Sequence, residues 1–154
     1  MFFLTIPYEI QTIAKNESSL TGKSVRQILL EKLKGETVEK TFSPELKKNL
    51  SKLNEIESLK KNWNGNGAKA ISKKLVNKTK SLIINLDKQP QIFPTANDSI
   101  QIEYDGEKNS YLELQISQKD VLSFYKIDKT GNESTGIIPA SSFAINNLVE
   151  EFYG

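Results

Sequence analysis

The stretch "SIQIEYDGEKNSYLELQI", residues 99–116, decides the fold class. Its apolar residues are Ile100, Ile102 and Tyr104, then Leu112, Leu114 and Ile116. They recur at every second position, the period at which the side chains of a strand share one face. The polar "DGEKN" between the two runs supplies the Gly and Asn that turns favour, so the runs read as antiparallel neighbours. "DVLSFYKID", residues 120–128, adds a strand of less clean alternation, as expected where both faces are partly covered. "DKTGN", residues 128–132, is a second hairpin connection, and a short fourth strand lies near "TGIIP", residues 135–139. The expectation is an antiparallel meander of three to four strands.

On both sides of the meander the period becomes helical. "SSFAINNLVEEFYG", residues 141–154, predicts a last helix that lays Phe143, Leu148 and Phe152 over the sheet. Upstream, "SPEL" opens a helix with Ser43 as N-cap and Pro44 at the first position, where its missing N–H costs nothing. Leu46, Leu50, Leu53, Ile56 and Leu59 form its seam. The helix is expected to end at "WNGNGA", residues 63–68, whose two Asn-Gly pairs suit a tight reversal. A second helix over about 72–88 turns Leu75, Val76, Leu82, Ile83 and Leu86 inward, and "KQPQIFPTAND", residues 88–98, reads as a loop held extended by its prolines. The fold class is therefore α+β. Residues 44–154 read as one domain, with a helical pair, the meander and a C-terminal helix, behind a linker at 36–43.

Composition narrows the function. The 154 residues hold no cysteine and no histidine, which removes disulfides, thiolate nucleophiles, Ser-His triads and nearly every zinc, copper or haem site. No paired acidic motif stands at metal-ligand spacing, so no cofactor is expected. No apolar run approaches the roughly 20 residues of a spanning helix. "MFFLTIPYE" lacks the basic lead and cleavage site of a signal peptide, so a cytoplasmic protein without a membrane partner is expected. The net charge of +2 hides a segregation: residues 43–90 carry 11 Lys+Arg against 4 Asp+Glu, and residues 91–154 carry 4 against 10. A basic middle and an acidic end can attract each other or face two different partners.

The first 35 residues form a further unit. "FFLTI", residues 2–6, reads as a short strand, and Pro7 opens a helix over 7–17 with the stripe Ile6, Ile10, Ile13, Ala14. "NESSLTG" breaks it. Ser24 and Gln27 make a capping box for a second helix, with Val25, Ile28, Leu29 and Leu33 as its stripe and Gly35 as its stop. A unit so small cannot bury a core unaided. Its joint spacing, in Ile6-Pro7, Gly22, Ser24-Val25, Ile28-Leu29 and Leu33, resembles the ribbon-helix-helix family.

That resemblance implies a homodimer through residues 1–35, in which two strands pair and enter the major groove of operator DNA. The implied dimer core is Leu4, Ile6, Ile10, Ile13, Val25, Ile28, Leu29 and Leu33. Phe3 and Thr5 would face the bases. Lys23, Ser24 and the Val25 N–H would hold a phosphate at the helix N-terminus, with Arg26 nearby. Ribbon-helix-helix modules joined to a second segment are typical of antitoxins, which repress their own operon and neutralise a cognate toxin protein. Here neutralisation would fall to a folded acidic domain rather than a disordered tail. A ligand-sensing transcription regulator and a dimeric adaptor without DNA binding remain alternatives. An enzyme is not expected, because scattered Ser, Thr and Asp do not make convergent polar groups.

"NWNGNGA" followed by "PTANDSIQIEYD" resembles a group of short bacterial proteins with a W-[DN]-G-x-x-A loop, which implies no activity. Trp63 and Asn64 are the candidate partner-binding residues of that loop. The alternative for Trp63 is a plug at the corner of the core with its N–H on a loop carbonyl.

Overall fold

A computed structural model describes residues 42–154, and the expectations placed on residues 1–41 lie outside the described residues. Three helices and five strands follow in the order α1 (Pro44–Glu57), α2 (Lys73–Ile84), β1 (Gln91–Pro94), β2 (Ile100–Asp105), β3 (Tyr111–Ile116), β4 (Val121–Ile127), β5 (Glu133–Pro139) and α3 (Ser142–Tyr153). Each helix begins at a serine. The side chains of Ser43, Ser72 and Ser141 accept from the backbone N–H of Leu46, Leu75 and Ala144 at 3.1, 3.3 and 3.1 Å, satisfying a donor that the first turn would leave bare.

The strands form one antiparallel sheet in the order β1-β2-β3-β4-β5. Register pairs even positions with even and odd with odd across every ladder, so one face carries all the even residues. Ile92, Ile100, Ile102, Tyr104, Leu112, Leu114, Ile116 and Leu122 are buried, and every one is even. All three helices pack on that face. Leu46, Leu53 and Ile56 of α1, Leu75, Val76, Leu82 and Ile83 of α2, and Ile145, Leu148, Val149 and Phe152 of α3 join the strand residues in one cluster. Each fully buried Leu or Ile contributes about 1.5–3 kcal/mol of transfer free energy. The product is two layers, helices over one face of a sheet.

The strap from α2 into β1 is pinned by polar groups. Buried Asn49 donates to Pro90 O at 2.9 Å and to Gln89 Oε1 at 3.0 Å, and Gln89 Nε2 donates to Ile83 O at 2.7 Å. The Tyr104 hydroxyl donates to Lys88 O at 2.7 Å; burial, then neighbouring Tyr153, raises it well above the ordinary phenol range.

The α+β class and the meander stand, with corrections. The sheet has five strands rather than three to four. "QIFP" is β1, although Pro90 and Pro94 suggested a loop, because a four-residue edge strand tolerates proline at its end. β5 runs a full seven residues. α1 stops at Glu57 rather than at residue 63, its end folded by Ser58 N–H onto Glu55 O. α2 occupies 73–84, with Leu86 buried just beyond it. Phe143 does not lie over the sheet: it sits in the first turn of α3 and is 76% exposed, while Ile145, Leu148, Val149 and Phe152 make the buried stripe.

Candidate functional site: the open face of the sheet

Strand alternation that buries the even side chains presents the odd ones together on the opposite face. Three adjacent rows result. Phe93, Gln101, Gln115, Ser123 and Ile137 form one; Gln91, Glu103, Glu113, Tyr125 and Thr135 the next; Asp105, Tyr111, Ile127 and Glu133 the third. None of these residues is fully buried, and a shallow groove runs between Gln101, Glu113, Gln115, Tyr125, Thr135 and Ile137.

The chemistry of the face is acidic and amphipathic. Glu103, Asp105, Glu113 and Glu133 lie on it, and no strand residue on it is Lys or Arg. Lys52, from α1, sets its ammonium 4.4 Å over the Phe93 ring at the β1 margin. Ile137 is 68% and Val121 42% exposed, giving apolar ground at the β4–β5 end.

At the centre two carboxylates face each other. Glu103 and Glu113 are direct cross-strand partners, an arrangement in which like charges are destabilising. Donors soften it. Gln101 Nε2 donates to Glu103 Oε1 at 2.6 Å and to Glu113 Oε2 at 3.1 Å, and the Tyr111 hydroxyl donates to Glu113 Oε2 at 2.8 Å. Partial burial, then the bond to Glu113 and the Glu103 carboxylate, holds the Tyr111 hydroxyl well above the ordinary phenol range. The Tyr125 hydroxyl is raised too, by desolvation first and then by Glu133. Both phenols therefore remain protonated donors. Among the described residues no group of three or more Asp or Glu is placed to hold a metal ion.

The Trp63 loop has a different construction. Asn62, at φ +66°, donates from its N–H to Ala68 O at 2.7 Å, and its Oδ1 accepts from Gly67 N–H at 2.7 Å. Asn64 Oδ1 accepts from Asn66 N–H at 2.8 Å and Ala68 N–H at 3.1 Å. Trp63 Nε1 donates to Lys69 O at 2.9 Å, a bond that closes its own loop. The loop is tied to "PTAND" by Lys69 N–H on Ala96 O and Ser72 N–H on Asp98 Oδ1, both at 2.9 Å. Gln118 Nε2 reaches Ser72 Oγ at 3.2 Å and Asp98 Oδ2 at 3.4 Å. The "NWNGNGA" and "PTAND" segments thus meet as interlocking turns.

Phe3, Thr5, Lys23, Ser24, Val25 and Arg26, and the dimer-core residues Leu4 to Leu33, lie outside the described residues. Trp63 Nε1 and Asn64 Oδ1 are engaged within their own loop. The residues that sequence reasoning left unnamed are Gln101, Glu103, Tyr111, Glu113, Tyr125 and Glu133. A signal for them existed: they are the odd positions between the apolar residues that defined the strands. Among the described residues no helix is long and apolar enough to cross a membrane. Comparison with protein-family models, with curated proteins and with solved structures gave no significant match.

Proposed function

We propose that this chain is a DNA-binding antitoxin or autorepressor: a dimer through residues 1–35 that neutralises a basic partner protein with the open sheet face of its C-terminal domain. The observation that carries the partner half is the gathering of Glu103, Asp105, Glu113 and Glu133 on a face without a strand Lys or Arg. Electrostatic complementarity of this kind speeds encounter with a cationic surface and rejects acidic ones. A cation placed between Glu103 and Glu113 also relieves their mutual repulsion, so binding and the strain of the free face are linked. Exposed Ile137 and Val121 and the two tyrosines add apolar and aromatic contact beside the charges, the mixture on which protein interfaces rely.

Support for the DNA half comes from the ribbon-helix-helix resemblance of residues 2–35. The test is retention of the full chain on DNA from upstream of its own gene. Thr5→Ala with Lys23→Ala weakens retention without loss of fold, and Leu29→Glu yields monomers in sedimentation by placing a charge in a shared apolar seam. Unchanged retention by the double variant rejects those residues as the DNA contacts, and a dimeric Leu29→Glu protein rejects the seam.

A further inference from the structure

Two bonds that bracket β5 fix which of its backbone groups face β4 and which face away. Asp128 N–H donates to Asn132 O at 2.9 Å before the strand, and Ala140 N–H donates to Asp120 O at 3.0 Å after it. Hydrogen-bonded and non-bonded positions alternate along an antiparallel pair. Ser134, Gly136 and Ile138 therefore bond to β4, while Glu133, Thr135, Ile137 and Pro139 turn their amide groups to the outer edge. Pro139 has no N–H, and its carbonyl accepts from Ser141 N–H at 2.9 Å, which closes that end. Among the described residues the N–H and C=O groups of Glu133, Thr135 and Ile137 have no partner and form an open row.

The opposite edge is guarded. β1 has four residues. Thr95 N–H on Ser99 O directs Gln91 and Phe93 toward β2, so Ile92 and Pro94 face outward and one donor is missing. Sheet edges are ordinarily blunted by shortness, proline or a Lys side chain. β1 follows that rule, and the outer edge of β5 does not until Pro139.

We propose that the β5 edge accepts an extended, basic segment of the partner protein as a sixth strand. This rests on the reading of the open face as a cation-binding surface and specifies how the partner engages it. The residues whose amides face outward are the same ones whose side chains lie on the open face. An added strand would therefore set two of its same-face side chains, four residues apart, beside Glu133 and Ile137, so it fits a segment with a cation at one of those positions and an apolar residue at the other. Charge selects this occupant over a second copy of the chain, since edge-to-edge self-pairing would bring two acidic faces together.

Hydrogen exchange on the full chain provides the test, with a capped peptide about eight residues long that carries lysine and valine four residues apart on one face, and the same peptide with glutamate for lysine as control. Saturation with the basic peptide slows exchange at Glu133, Thr135 and Ile137 by about tenfold or more. Thr135→Pro, which deletes an outward donor where an edge strand tolerates proline, weakens the peptide about three- to tenfold. Glu133→Gln keeps the edge intact and lowers affinity at low salt only. Salt-sensitive binding without protection of those three amides overturns strand addition and leaves the cationic-partner reading standing. Absence of binding, or equal binding of the acidic peptide, overturns both. Protection that rises with protein concentration without peptide identifies a second copy as the occupant and overturns the proposal.

Discussion

Glu103→Gln should make the domain more stable and the partner complex weaker. Two unit charges about 6 Å apart repel by roughly 0.7 kcal/mol in bulk water and about 2.8 kcal/mol at an effective dielectric of 20. The Gln101 amide and the Tyr111 hydroxyl already draw off part of that, and directly opposed pairs in sheets contribute about 0.2–1 kcal/mol. Glutamine at 103 keeps an oxygen that accepts from Gln101 and removes the charge, so a gain of about 0.5 kcal/mol is expected at low ionic strength. With a urea m-value of about 1–2 kcal/mol/M, the midpoint rises by about 0.25–0.5 M. The gain should shrink in about 1 M salt, where the screening length falls to about 3 Å. Glu113→Gln should gain less, because Glu113 is the ionic acceptor for both Gln101 and Tyr111. Urea melts of the two variants at low and high salt check this. A Glu103→Gln protein less stable than the parent at low salt would refute the picture of a repulsive, partner-awaiting pair.

Gly136→Ala should destabilise by about 1–3 kcal/mol, read by thermal or urea melts. A Cβ there would stand 2.6 and 2.7 Å from ring carbons of Phe124, which must then leave its place against the core. Asp128 Oδ1 in the β4–β5 turn accepts from the Thr130 hydroxyl at 2.7 Å and from the Asn132 and Thr130 N–H groups at 2.9 Å. The Thr130 hydroxyl, then Asn132, holds the carboxyl down at about 2 from its ordinary 3.8. Because the folded value is the lower one, the stabilisation is present above pH 3.8 and is lost as pH falls toward 2. Asp128→Ala should abolish that acid dependence and speed amide exchange in the hairpin. Trp63→Phe removes the bond to Lys69 O and should cost about 1 kcal/mol while leaving partner affinity unchanged; a selective loss of affinity would instead place Trp63 in the interface.

Period two is the strongest signal in the chain and locates β2 and β3 to within a residue. Ile100, Ile102, Tyr104, Leu112, Leu114 and Ile116 all face the helices, because one covered face leaves a clean alternation. β1 is not legible in the sequence, since one buried residue, Ile92, between two prolines has no period. β5 is legible only in its second half for a related reason: its burial is slight throughout, and its place comes from pairing with β4 rather than from apolar demand. Phe143 was misplaced because a helix stripe can be drawn through either Phe143 or Ile145, and the path from β5 through the Ser141 cap chooses the second. The open face was written in the same letters as the core. Its rows across strands required the register, which no single segment of sequence encodes.

If the odd face of the sheet meets a cationic protein as proposed, its carboxylates lie against that protein's lysines. The most direct test is cross-linking between carboxylates and lysines in the full chain captured with its partner from the native host, followed by mapping of the linked residues. Links are expected from Glu103, Glu113 and Glu133 to lysines of one basic protein. Links confined to the helical layer, at Glu45, Glu55 or Asp87, with none from the sheet face, would contradict the proposal.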